Sequence, residues 1–253
     1  MRPIALLCLI AWAGLAGCAH TAAVPEADLA TVLANPARSA ADRERDGRDQ
    51  PAAVLAFAGF RRGERIADIF GGGGYYSEIL SGVVGDEGEI YLVNNPPYDN
   101  YAKKDLTPRL ADQRLRNVRY AVRPNDDLQL PKDLDGALIV MSYHDLYHAA
   151  PDQGWAAIDA GQFIEQITAA LKPGGVLLIV DHASAAGRGK LDADSLHRIE
   201  ESFAIADFKA HGLVFDGKLD VLRAAADDHS KNVFDPAIRG MTDRFVHRYR
   251  KPR

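Results

Sequence analysis

The chain has 253 residues, 47% of them apolar and 26% charged, and its 35 acidic side chains outnumber 30 basic ones for a formal net charge of −5 and a pI near 5.9. This is ordinary globular composition for one or two domains, since a chain of this length buries roughly 70–75% of its unfolded surface. No long basic stripe is present, which argues against a nucleic-acid partner held through phosphates; the basic residues gathered at the end of the chain (Arg244, His247, Arg248, Arg250, Lys251, Arg253) suit a charged strand edge and tail instead.

In chain order, a targeting segment comes first. Arg2 gives a positive start, and residues 4–16 are an apolar run too short for a membrane span, which needs about 20 residues. The run ends in Leu15-Ala16-Gly17-Cys18, which resembles the bacterial lipobox. That resemblance implies a lipoprotein signal peptide over 1–17 and lipidation of Cys18 as the mature N-terminus. It also implies a position on the periplasmic side of the bacterial envelope, with Ala19 rather than Asp favouring the outer membrane. Two or more acyl chains suffice for stable anchoring, so membrane contact is expected through the N-terminal lipid anchor only. The other cysteine, Cys8, lies inside the signal, so the mature body has no internal disulfide, cysteine nucleophile or thiolate metal site.

Residues 18–50 are rich in Ala, Asp and Arg without sustained apolar periodicity, and read as a tether followed by a short polar helix. A domain is expected over 51–253. It opens with a short helix over 51–60, with Pro51 near the first turn. Strand-like and helical stretches then alternate. The pattern predicts a strand over 64–70, a helix over 75–84, a strand over 89–93, and loop and helix over 98–115. Strands over 118–122 and 134–141 follow, then a long amphipathic helix over 152–171, a strand over 175–181 and a helix over 195–211. Residues 213–221 and 243–250 alternate as an antiparallel pair does. This order implies parallel βαβ units with helices on both faces. The run Val-Leu-Leu-Ile-Val at 176–180 suits a central strand buried on both sides.

The first strand of this series leads into Phe70-Gly71-Gly72-Gly73-Gly74-Tyr75, and a helix follows. Glycines at such a turn let backbone approach a ligand closely, and the helix start adds unpaired N–H groups. A dinucleotide turn needs a third glycine where this chain has Tyr76 or Ser77, and a phosphate-binding loop needs a Lys that is absent.

Asp68, Gly72 and Gly74 resemble the D-x-G-x-G-x-G turn of class I S-adenosylmethionine-dependent methyltransferases, with Phe70 standing at the first glycine position. Asn125-Asp126-Asp127-Leu128-Gln129-Leu130-Pro131 resembles that family's acid-x-x-x-Leu-Pro turn after the third strand. Residues 135–142 resemble its fourth strand, and Leu171-Lys172-Pro173-Gly174-Gly175 its turn into the fifth. Over 39–252 the chain is similar to a group of predicted bacterial methyltransferases, many with export signals, through Tyr75-Tyr76, Tyr143-His144-Asp145, Asp181-His182, Leu196-His197-Arg198-Ile199 and residues 232–240. The resemblance implies an α/β fold: a doubly wound, seven-stranded, mostly parallel Rossmann-like sheet with an antiparallel C-terminal pair. It implies S-adenosylmethionine as cofactor and a small-molecule acceptor. Cofactor binding would fall to Asp68, Gly71, Gly72, Gly74, Tyr75, Asn94 and Asp126, the last accepting from the adenine amino group. The family's second strand ends in an acid that grips both ribose hydroxyls, where this chain has Asn94. A charged acceptor binds about twice as strongly as a neutral one, so Asn94→Asp is expected to tighten cofactor binding.

His144, Asp145, His148 and His182 follow the fourth and fifth strands, and His197 opens the next helix. The catalytic assignment falls on His144, Asp145 and His182, because an imidazole beside the pocket can remove a proton at neutral pH. His144 and His148, four apart, are the one metal-like spacing, and no metal site is expected. Tyr75, Tyr76 and Tyr143 offer an aromatic wall or core packing. Two rival readings remain: a methyltransferase-fold binding lipoprotein without transfer activity, and an NAD(P)-dependent oxidoreductase, which the glycine spacing disfavours.

Overall fold

The computed structural model describes residues 26–253, so the expectations for 1–17 and for Cys18 lie outside the described residues. Two helices open the described chain, α1 (Glu26–Leu33) and α2 (Ala40–Asp49), in the stretch read as tether and polar helix. α1 packs on α3 (Pro51–Ala58) and on α4 (Tyr75–Val84), and its Leu29 shares a buried cluster with Val54 and Ile79. α2 carries almost no apolar face, and charge pairs hold it in place: Asp49 lies 2.8 Å from Arg244, and Asp42 lies 2.9 Å from Arg109. From residue 26 onward this stretch is therefore docked on the domain.

The sheet is built from β1 (Arg65–Ile69), β2 (Glu89–Asn94), β3 (Val118–Val122), β4 (Leu134–Val140), β5 (Leu171–His182), β6 (Val214–Leu219) and β7 (Arg244–Arg250). Their spatial order is β3-β2-β1-β4-β5-β7-β6. The first five run parallel, and β7 lies antiparallel between β5 and β6. This is the doubly wound sheet with an antiparallel C-terminal pair that the sequence pattern implies. Strand order reverses between β1 and β4, which sets a crevice at their carboxyl ends.

Helices cover both faces. Ala67 and Ile69 of β1 face one core with Phe163 and Ile167 of α6 (Ala160–Ala170) and Phe208 of α8 (Glu201–Ala210). Ile66 faces the other core, with Leu80 of α4 and Leu106 of α5 (Pro96–Leu110). The alternation is the strand period of two, and each such aliphatic or aromatic side chain contributes about 1.5–3 kcal/mol on burial. No helix among the described residues is long and apolar enough to cross a membrane.

Two expected helices are shorter than their patterns suggest. The one expected over 152–171 begins at Ala160, where the Asp159 carboxylate accepts from Gln162 N at 3.0 Å and caps it. Before it, Trp155 pairs back with Ala150 across a tight turn at Gly154. The helix expected over 195–211 is broken. A four-residue α7 (Ala193–Leu196) ends at His197, which is left-handed at φ 53°; Ile199 then bridges to Ala183 beyond β5. Arg198 supplies the reason. Its fully buried guanidinium meets Asp227 at 2.9 and 3.0 Å and reaches the carbonyls of Ala183 and Lys231, which draws the backbone out of helical register.

Candidate functional site

The glycine turn is shaped from within. After β1, Phe70 turns the chain at φ 52°, and its N–H donates to Val93 O at 2.7 Å. A left-handed bulky residue costs about 1 kcal/mol or more. A Cβ on Gly71 would strike Asp68 and Leu92 at 2.5 Å, and one on Gly73 would strike Asp105 at 2.8 Å, whereas Gly72 faces open space. α5 covers the far side of the turn, with Arg109 Nε donating to Gly73 O at 2.6 Å. Gly72 is thus the glycine whose Cα faces open space; Gly71, Gly73 and Gly74 serve the tight packing of the turn.

Three residues assigned to cofactor binding point elsewhere. The Asp68 carboxylate is buried and accepts from Ser77 Oγ at 2.6 Å; burial, opposed by the Ser77 hydrogen bonds, raises its pKa to about 6. It staples the turn to α4. Tyr75 lies under Arg45, 3.9 Å from ring centre to guanidinium, and its hydroxyl donates to Asp46 at 2.7 Å, so it holds α2. Asn94 is fully buried: its Oδ1 accepts from Gly72 N and its Nδ2 donates to Gly72 O, both at 3.0 Å. The amide is spent on closing the turn. So engaged, it is not left free for a ribose, which removes the ground for expecting Asn94→Asp to tighten binding.

Asp126 follows β3 and is exposed. It lines an open cleft of about 490 Å³ together with Asn95, Pro96, Pro97, Trp155 and Ile158, at the carboxyl ends of β2 and β3. Toward β4 the space is filled. The Phe70 ring stacks on Tyr98 at 4.7 Å and 14° and packs on Phe163 at 5.1 Å. Tyr98 meets Trp155 edge-on, and its hydroxyl donates to Asp145 Oδ2 past the end of β4.

Beyond that stack the histidines gather. Asp181, at the end of β5, is fully buried; its carboxylate accepts from His144 N at 2.8 Å and lies 2.8 Å from His144 Nδ1. His144 Nε2 sits 3.3 Å from Asp145 Oδ1, and His197 Nδ1 lies 3.6 Å from the same oxygen. Burial alone would lower the His144 pKa, but Asp181 and Asp145 outweigh it and raise it to about 9. For Asp145, burial is outweighed by His144 and His197, which hold its carboxyl below the usual range. Without a further ligand His144 is a cation at neutral pH and a poor base. His182 is the opposite case: burial, with the His144 charge added, pushes it well down, so it stays neutral with Nδ1 on Thr242 Oγ1 at 2.8 Å. The catalytic candidates are therefore brought together, but of the two histidines only His182 has a lone pair for general-base work.

Sequence reasoning missed Tyr98 and Trp155 and did not pair His197 with Asp145. Part of the signal was present. Asn95-Pro96-Pro97 is an N-cap followed by Pro in the first turn, and Asn95 Oδ1 accepts from Tyr98 N at 3.0 Å, which fixes Tyr98 over the strand ends. Nothing in the local sequence aims Trp155 or breaks the helix at His197.

No protein-family model matches the sequence, and no curated protein is similar to it. Solved structures are similar in fold. A SAM-dependent methyltransferase from Aquifex aeolicus aligns at TM-score 0.58 with 17% identity, over 89% of this chain and 98% of the other. The [4+2]-cyclase SpnF aligns at 0.56 with 18% identity, over 89% and 94%. An arsenic(III) S-adenosylmethionine methyltransferase from Chlamydomonas reinhardtii aligns at 0.52 with 13% identity, over 89% and 73%. The chain has the Rossmann-like fold of class I S-adenosylmethionine-dependent methyltransferases. A cyclase among these neighbours illustrates that the fold itself leaves the reaction open.

Proposed function

We propose that the chain is an S-adenosylmethionine-dependent methyltransferase acting on a small-molecule acceptor. The observation that carries this reading is the open cleft at the carboxyl ends of β2 and β3, on the same edge of the sheet as the glycine turn after β1. Trp155 and Ile158 give it apolar walls, and Asp126 an exposed acceptor for an adenine amino group. These residues fit the nucleoside end of the cofactor. The amino-acid end does not fit the closed arrangement, because the Phe70–Tyr98 stack fills the space between the β1 and β4 ends. Parting those rings is the condition for catalysis. Once bound, the cofactor would supply an activated methyl group; the chain supplies positioning, and His182, neutral because burial lowers its pKa, is a weak acceptor for the substrate's proton. The Leu-Ala-Gly-Cys18 motif supports anchoring by lipid on the periplasmic side of the envelope, with no nucleic-acid partner.

Calorimetric titration with S-adenosylmethionine, S-adenosylhomocysteine and NAD tests the reading. The two sulfur ligands are expected to bind and NAD is not. Asp126→Ala should weaken binding. Phe70→Gly removes one ring at a backbone angle glycine adopts freely, and should tighten binding roughly tenfold by relieving the cost of opening. If neither the wild-type chain nor Phe70→Gly binds either sulfur ligand, the proposal fails.

A further inference from the structure

The end of β4, the end of β5 and the left-handed turn at 197 bring together two imidazoles and one carboxylate: His144, Asp145 and His197, with donor atoms all within 4.8 Å of one another. The separations are informative. Charge-assisted hydrogen bonds to a carboxylate run about 2.7–2.9 Å. Asp145 Oδ1 is farther than that from both imidazoles, at 3.3 and 3.6 Å. Ligand atoms held about 2.0–2.2 Å from a tetrahedral ion lie roughly 3.4 Å apart, and these two distances bracket that value.

Each donor is oriented by a second contact. Asp181 lies on His144 Nδ1 and so turns Nε2 toward Asp145. Tyr98 occupies Asp145 Oδ2 and leaves Oδ1 to the imidazoles. His197 is held by its neighbours, with Arg198 locked on Asp227 and Ile199 bridged to Ala183. A carboxylate behind a ligating imidazole is the usual support of a metal-bound histidine. His144 and Asp145 are buried, whereas His197 is partly exposed and gives a way in.

We infer that His144, Asp145 and His197 form a site for one divalent first-row transition ion, with an open coordination position for an oxygen, nitrogen or sulfur donor of a small molecule. Two imidazole nitrogens and one carboxylate oxygen suit zinc, iron(II) or manganese(II) better than calcium or magnesium, which favour oxygen alone. The inference does not need the methyltransferase reading, since none of the three ligands lines the cleft; the two share only Tyr98, which orients Asp145.

Zinc alone is the probe. Titration of the metal-free, untagged chain with Zn²⁺ should saturate at one ion per chain with micromolar or tighter affinity. The cobalt(II)-loaded chain should show the intense visible d–d bands of a low-coordinate site. His197→Asn keeps a residue that tolerates the left-handed turn but removes the imidazole, and Asp145→Asn removes the charge; with folding verified by circular dichroism, either should weaken zinc at least tenfold. His211→Ala, in the loop after α8, should leave the affinity unchanged. Absence of saturable one-to-one binding to the wild-type chain overturns the inference and leaves a proton-bridged histidine–carboxylate cluster. One-to-one binding that both His197→Asn and Asp145→Asn leave intact also overturns it.

Discussion

At the residue scale, Asn94 separates what spacing can tell from what it cannot. The position, at the end of β2 beside the glycine turn, is legible from the alternation of strands and helices. The direction of the side chain is not, because the two hydrogen bonds that capture it come from the backbone of Gly72, 22 residues upstream. Asp68 and Tyr75 teach the same lesson: each is at the turn, and each is claimed by a neighbour that sequence does not advertise, Ser77 and Asp46. The reciprocal pair makes a firm prediction. In Asn94→Asp the carboxylate keeps the Gly72 N–H but faces the Gly72 carbonyl with charge and no donor, buried from water. An unsatisfied buried group of this kind costs about 1–3 kcal/mol. Thermal unfolding at pH 7 should show Tm lower by roughly 2–12 °C, given about 2–4 °C per kcal/mol for a chain of this size. A variant as stable as the wild type, or one that binds S-adenosylmethionine more tightly, would mean that Asn94 faces the ligand after all.

At the scale of elements, periodic segments were read well and polar ones poorly. α4 and β3 match the predicted bounds residue for residue: α4 starts at the glycine turn and ends at Gly85, and β3 is a short Val- and Tyr-containing stretch. The amphipathic pattern over 152–171 overran its true start because Asp159 caps the helix, and periodicity carries no information on where a cap will win. α2 was legible as a polar helix but not as a docked one, since its partners Arg109 and Arg244 lie far along the chain. Its attachment should be acid-labile. Burial raises the Asp49 pKa, but Arg45 and Arg244 outweigh it and hold the carboxyl below its ordinary value. A carboxyl depressed in the folded state adds stability that is present above about pH 4, its unfolded pKa, and is lost as pH falls through the folded value. Near-ultraviolet circular dichroism of Tyr75 and Tyr76 should therefore show α2 releasing below about pH 4. Asp49→Asn should remove that acid step and cost about 3 kcal/mol at pH 7 by leaving Arg244 partly uncompensated. An acid step that survives in the variant would assign α2's attachment to other groups.

At the scale of the whole molecule, strand order was the most legible feature and the arrangement at the crevice the least. The sheet order follows from βαβ connections, which admit few alternatives. The histidine cluster requires His144 and His197 to meet across 53 residues, through a helix break that buried Arg198 imposes. The anchoring of the molecule is a separate question, with its own measurement. In cells fed labelled palmitate the chain should take up label and pellet with membranes. Cys18→Ser should do neither, and a wild-type chain that stays unlabelled in the soluble fraction would refute lipid anchoring.

The Arg198–Asp227 pair has a mechanical meaning as well. Asp227 belongs to the long connection between β6 and β7, and its partner stands beside His197. That connection works as a guy rope, tying the segment after β6 to the backbone that carries His197 at the wall of the crevice. A cut or loosened residue there would free the backbone beside the imidazole at 197 as well as the entry to β7, where Asp227 also accepts from Asp243 N at 2.7 Å.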